Sequence, residues 1–208
     1  NTPAHSLGVG LKKPVIVDSS NGLFYCREKS LDLHIISASY EFKVKQLFET
    51  LAKKSKIIVD IGANIGRYTV LGGIKNPHAK IYAIEPQKDN FEILSRNVKL
   101  NNLNNVELIK MALGDKKKKV KLYENQDSLN FGVYSLKHKR DNFEIVQQNT
   151  FDNLFKDNVD LVKIDVEGSE LNVLNGMKSS LLNHRIKNIT LEIDKDNYKD
   201  IKNIFDKY

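Results

Sequence analysis

Cysteine is nearly absent from this chain: Cys26 is the only one in 208 residues, so no internal disulfide can form. A packed core must hold the fold, and a reducing, cytoplasmic setting is expected. Residues 1–13 lack the apolar stretch of a secretory signal, and no run approaches the roughly 20 apolar residues of a membrane span. The sequon Asn188-Ile189-Thr190 is therefore read as a chance match inside a strand. The five histidines (His5, His34, His78, His138 and His184) fall at no ligand spacing, so zinc is not expected and no metal site is assigned. Aromatics interleaved with basic residues, the pattern that stacks bases, are missing too. There are no internal repeats and no low-complexity linker.

The chain does have 40% apolar residues, enough for one domain with a sizeable core. Its net charge is +7, part of it concentrated in Lys116-Lys117-Lys118-Lys119 and Lys121. A solvated turn in a lysine- and asparagine-rich chain is the simpler reading; an acidic partner such as RNA, a nucleotide-sugar or a membrane surface is the alternative.

The most informative stretch is residues 57–69. The apolar run Ile57-Ile58-Val59 ends in Asp60, and a loop with Gly62, Ala63, Asn64 and Gly66 then opens a helix. This is the form of a nucleotide-cofactor loop at the carboxyl end of a buried parallel strand. It is not a dinucleotide fingerprint: aligned on Gly62, Asp60 replaces the first glycine and Ile65 the third. A carboxylate there would repel a pyrophosphate. It suits a phosphate-free cofactor with an ammonium group, and S-adenosylmethionine fits. A second apolar run, residues 80–84, ends in Glu85-Pro86, with Glu85 placed 19 residues after Gly66. That is near the spacing at which an acid accepts ribose hydroxyls. Proline disfavours helix at the residue before it, so the strand stops at Glu85.

Around these motifs the chain alternates. A β-hairpin is expected over 13–27, turning at Asn21-Gly22, and a helix over 40–51. Strands follow at 56–61, 80–84, 106–111, 161–166 and 188–193, with helices from 64–66, over 89–100, over 170–177 and to the end of the chain. Residues 120–123 and 143–147 form extra strands between the third and fourth. The fold class is α/β, a doubly wound Rossmann-like sheet of central order 3-2-1-4-5. Residues 1–50 form a hairpin-and-helix cap, and 51–208 the cofactor-binding core.

The chain resembles the FkbM-type methyltransferase family, within the class I adenosylmethionine-dependent methyltransferases. The resemblance rests on Asp60 through Thr69, Ile84-Glu85-Pro86, Ala112-Leu113-Gly114-Asp115 and Leu161 through Glu170. Asp165-Val166-Glu167-Gly168, with Leu174 and Gly176-Met177, is the most family-specific part; Asp32 and Tyr40-Glu41 fit the lead-in. The resemblance implies O-methylation of sugars or natural products. Asp60, Gly62 and Gly66, with Ala63 and Asn64 between them, would cradle the methionine end of the cofactor. Glu85 would hold the ribose, Ala112 and Leu113 would flank the adenine, and Asp165 and Glu167 would face the methyl group. The class usually ends with an antiparallel hairpin of strands six and seven, which is expected to be missing here. The uncovered sheet edge would favour a homodimer.

Methyl transfer to a hydroxyl needs a base, and Asp165 and Glu167 at the end of the fourth strand are the candidates. Lys163 interrupts that buried strand and needs a carboxylate partner, Glu192 or Glu170; a lysine of lowered pKa acting as base is the alternative. The polar segment 124–142, with Asn130, Tyr134 and His138, is read as the acceptor loop. Asp-Val-Glu-Gly in place of Asn/Asp-Pro-Pro-aromatic argues against methylation of base amines. The first reading is a methyltransferase for a sugar or small-molecule hydroxyl. An RNA or protein methyltransferase is the second, and a cofactor-binding protein without catalysis the third.

Overall fold

The computed structural model describes residues 11–124, 134–135, 142–193 and 197–207. The hairpin β1 (Val15–Ser19) and β2 (Gly22–Cys26) leads to helices α1 (Asp32–Ile35) and α2 (Phe42–Ala52). Then come β3 (Ile57–Ile61), α3 (Arg67–Lys75), β4 (Lys80–Ile84), α4 (Lys88–Leu100) and β5 (Val106–Ile109). A detour follows through β6 (Ala112–Leu113), β7 (Lys118–Glu124), β8 (Tyr134–Ser135), β9 (Phe143–Asn149) and α5 (Phe151–Leu154). The alternation resumes with β10 (Val159–Ile164), α6 (Glu170–Asn175), α7 (Lys178–Leu182), β11 (Ile186–Leu191) and α8 (Tyr198–Phe205).

Five parallel strands pair in the order β11-β10-β3-β4-β5, with β3 and β10 side by side at the centre. Both faces of these strands are buried, so β3 is apolar along nearly its whole length rather than alternating with polar residues. Period-two geometry splits it between two cores. Val59 and Ile61 join Phe151, Val162, Ile164, Leu174 and Met177 on one face, whereas Ile58 joins Phe48, Tyr68, Leu71, Ile81 and Leu161 on the other. A polar row crosses the sheet in register, Asp60 beside Lys163 and Lys163 beside Thr190. It lies near the strand ends, where the site begins.

Two strands sit slightly earlier than the apolar pattern predicts: β10 ends at Ile164 and β11 at Leu191. Val166 still packs on the core after the strand has ended, so apolar burial outlasts the hydrogen-bonded ladder. The expected strand 106–111 stops at Ile109, because Ala112 and Leu113 pair with β9 in a second sheet of order β6-β9-β7-β8. The expected helix 170–177 divides at Gly176, where a Cβ would lie 2.0 Å from the Gly114 carbonyl oxygen. The hairpin turns at Ser20-Asn21, and Gly22 already belongs to β2. The hairpin is fastened to α4 by amide side chains. Asn101 and Asn97 accept from the backbone N–H of Leu23 and Tyr25, at 2.9 and 2.8 Å, and so supply the polar edge a third strand would. No helix among the described residues is long and apolar enough to cross a membrane.

Candidate active site

A cavity opens at the carboxyl ends of β3, β4 and β10, the place where open α/β sheets bind ligands. Asp60, Gly62, Ala63, Asn64, Glu85, Ala112, Leu113, Asp165 and Glu167 all line it. Gly66 does not: it is the N-cap of α3 at φ +93°, packed on Leu94, and acts by letting the helix begin. Asn130 and His138 lie outside the described residues, and Tyr134 is described only as backbone in β8.

The loop after β3 has a steric reason for its glycine. Gly62 sits at φ +79°, and a Cβ there would stand 1.8 Å from the Asp165 carbonyl oxygen. Only glycine lets the two central strand ends approach so closely. The backbone N–H groups of Gly62 and Ala63 donate to the Ile84 carbonyl oxygen at 2.9 and 3.0 Å, tying this loop to the next strand end. Asn64, at φ +50°, turns its N–H onto Glu85 Oε2 at 2.8 Å. The Gln87 N–H donates to Glu85 Oε1 at 2.9 Å. Each oxygen of Glu85 thus accepts one backbone donor and keeps acceptor capacity for another. Burial, only partly offset by these two bonds, pushes the Glu85 carboxyl up to about 7.

Asp60 is buried beside it. Its Oδ2 accepts from the Thr69 hydroxyl of α3 at 2.6 Å, and its Oδ1 has no partner among the described residues. Burial raises its pKa against the opposing pull of Lys163 and Thr69. An orphaned buried carboxylate oxygen on a cavity wall lacks the donor that burial demands.

Lys163 does have a carboxylate partner, but it is Asp165 rather than Glu192 or Glu170: Nζ lies 2.8 Å from Asp165 Oδ2 and 4.5 Å from the Tyr68 ring centroid. Burial works to lower the lysine's pKa, yet the Asp165 and Asp60 carboxylates outweigh it and the net shift is upward. The ammonium is therefore held charged, which removes the lowered-pKa base reading.

The opposite wall comes from chain segments to which the sequence reading gave no site role. Glu41, at φ +45° before α2, accepts from the Tyr68 hydroxyl at 2.7 Å and pairs with Arg67 Nη1 at 3.4 Å. Arg67 also donates to the Tyr40 carbonyl and lies 5.0 Å from the Tyr40 ring centroid. Glu192, just past β11, completes the wall. Glu41, Asp165 and Glu192 each bring a carboxylate oxygen within 4.8 Å of the other two. The available signals were the Tyr40-Glu41 pair of the family lead-in and the acid after the last strand; only the fold brings them together.

The protein is a doubly wound α/β sheet with a cavity at the switch between β3 and β10. Sequence comparison carries this further. The profile described as the methyltransferase FkbM domain matches residues 60–207, and the chain belongs to that family. Methyltransferase 1 of Beauveria bassiana (strain ARSEF 2860) is 30% identical over 146 residues, 58% of this chain and 57% of that protein. Methyltransferase sdnD of Sordaria araneosa is 30% identical over 154 residues, 58% of this chain and 60% of that protein. The matches therefore span a little under two thirds of either relative. A solved structure described as the SAM dependent methyltransferase from Agrobacterium tumefaciens superimposes with a TM-score of 0.56 at 8% identity, covering 94% of this chain and 58% of that one. It shares the fold.

Proposed function

We propose that this chain binds S-adenosylmethionine in the cavity and methylates a hydroxyl of a sugar or another small molecule. The observation that carries the reading is Glu85: a buried carboxylate whose two oxygens are each oriented by one backbone N–H and each able to accept one ribose hydroxyl. Asp60 Oδ1 complements it as a buried acceptor without a donor among the described residues, suited to the ammonium end. Ala112 and Leu113 offer an apolar border for the adenine. The bound cofactor would supply an electrophilic methyl on a sulfonium. The chain's own residues would orient the acceptor and take its proton.

Asp165 and Glu167 are proposed to work on the acceptor side, Asp165 with its direction fixed by Lys163. The acids Glu41, Asp165 and Glu192 favour hydroxyl or amine donors and disfavour a phosphate backbone, despite the chain's net charge of +7. A neutral small acceptor therefore suits the cavity better than RNA.

Calorimetry tests the cofactor assignment. Glu85→Ala should weaken adenosylmethionine binding by about 1–3 kcal/mol, since it removes hydrogen bonds to a charged acceptor. Unchanged affinity would refute the ribose role. Turnover of labelled adenosylmethionine against glycans, total RNA and cell protein tests the acceptor class; labelling confined to RNA or protein would refute it.

A further inference from the structure

Three carboxylates meet on the acceptor wall, and they are not equivalent. Asp165 Oδ2 is held by the Lys163 ammonium at 2.8 Å. Glu41 Oε2 is held by the Tyr68 hydroxyl at 2.7 Å and by Arg67. Among the described residues, Glu192 makes no ion pair with a lysine or arginine, and its side chain is the most exposed of the three. Its backbone is fixed all the same, because the Glu192 N–H donates to the Ile164 carbonyl at 3.2 Å, one residue before Asp165. A hydroxyl seated at this wall can contact Asp165 and Glu192 together.

From this arrangement we infer that Glu192 is the general base that takes the proton of the acceptor hydroxyl, with Asp165 and Glu41 as its positioning partners; this rests on the O-methylation reading above. The acceptor O–H bond breaks and its proton joins a Glu192 carboxylate oxygen. The freed pair on the acceptor oxygen forms the bond to the methyl carbon, and the pair of the breaking carbon–sulfur bond stays with sulfur. Asp165 is less suited to the step, because its Oδ2 is already engaged by the Lys163 ammonium. Glu41 is disfavoured by the same argument through Arg67 and Tyr68.

The surroundings of Glu192 set its basicity near the working pH. Partial burial first, then the Asp165 and Glu41 carboxylates, push its carboxyl up to about 7 against the opposing pull of Lys163. Tyr40 faces the same group, and burial together with these acids keeps its phenol protonated at neutral pH. A base whose pKa lies near ambient pH combines a usable ionised fraction with real proton affinity.

Two measurements test the assignment. The first needs neither cofactor nor acceptor: the protein is labelled with carbon-13 at glutamate carboxyls and titrated by NMR, with Glu192→Gln identifying the signal. A midpoint near pH 7 is expected; one close to the ordinary glutamate value of about 4.3 overturns the proposal. The second uses a hydroxyl acceptor that the wild type methylates. Glu192→Gln should lower turnover about 100-fold and abolish the rise of rate with pH through neutrality, whereas Glu192→Asp keeps that rise. The adenosylmethionine dissociation constant should stay within about threefold. A Glu192→Gln enzyme that keeps both its rate and its pH dependence overturns the base role. So does activity lost in EDTA and restored by Mg2+, which would place proton loss under metal control. A wild type that yields only N- or C-methylated products refutes the O-methylation reading instead, and the carboxyl titration would be unaffected.

Discussion

The wall around Asp60 and Glu85 and the wall around Glu41, Asp165 and Glu192 both consist of acids, but different groups hold them. Glu85 is held by the N–H groups of Asn64 and Gln87, and Asp60 by the hydroxyl of Thr69, all neutral donors. Asp165 and Glu41 are held by cations, Lys163 and Arg67. Neutral donors orient a carboxylate without cancelling its charge, so the first wall stays attractive to a cationic ligand. Cation pairing fixes direction and spends much of the charge, which leaves Glu192 as the basic member of the second wall. Lys163 joins the two, since Asp60 stands beside it on β3 and Asp165 follows it just past the end of β10.

Lys163→Met should therefore have the largest effect. It leaves Asp165 and Asp60 without their shared cation, and breaking a buried ion pair costs about 3–5 kcal/mol. Asp165 is partly exposed, its side chain at 28% of full accessibility, so about 2–4 kcal/mol is expected by urea denaturation. A loss under about 1 kcal/mol would show that the walls are independent and break the comparison.

The next test separates the walls by pH. Native Glu85 holds its proton up to about 7 against an ordinary value of 4.5, so the folded state binds more protons than the unfolded state between those values. Its stabilising contribution is complete below pH 4.5 and is lost as pH climbs through 7. Glu192 acts in the same direction and window, more weakly because it is exposed. The ligand-free protein should thus be less stable at pH 8 than at pH 5, by up to about 3 kcal/mol for Glu85. Glu85→Gln should remove the larger part of this slope and Glu192→Gln the smaller part. The reverse order would shift the frustrated charge to the acceptor wall.

The walls also differ in how much of them could be read from the sequence. Asp60, Gly62, Asn64 and Glu85 sit on two strand–loop segments, and the hydrogen bonds that orient Glu85 come from Asn64 and Gln87 in those same segments. Spacing alone could place such a unit. Glu41, Asp165 and Glu192 stand far apart in the chain, and only the pairing of β3, β10 and β11 brings them together. Lys163 was legible as an anomaly in an apolar strand, but its partner was not. Asp165 lies two residues along the same segment, past the strand end, where alternation of side chains no longer applies. In the fold, the β-α alternation was plain, whereas the expected strand 106–111 ran two residues past β5, and the pairing of Ala112 and Leu113 with β9 was not legible. The segment holding Asn130, Tyr134 and His138 contributes nothing to this comparison, since those side chains are not among the described residues.

The smallest expected effects come from two neighbours on α3 that serve different walls. Tyr68 donates its hydroxyl to Glu41 and Thr69 donates its hydroxyl to Asp60, at 2.7 and 2.6 Å. Both side chains are buried, and Tyr68→Phe and Thr69→Val each remove little more than one donor. Each should lower stability by about 1–2 kcal/mol, the cost of leaving a buried acceptor short of its hydrogen bond. Ligand binding then tells them apart. Thr69→Val frees Asp60 Oδ2 to rotate and to protonate, so adenosylmethionine affinity should fall by about 1 kcal/mol, roughly fivefold. Tyr68→Phe leaves Asp60 and Glu85 as they are and should keep affinity within about threefold. It should instead shift the Glu192 titration, because Glu41, which hydrogen-bonds Glu192, loses the hydroxyl that fixes its direction. Equal losses of affinity in the two variants would mean that the walls act as one charged unit, and the division drawn between them would fail.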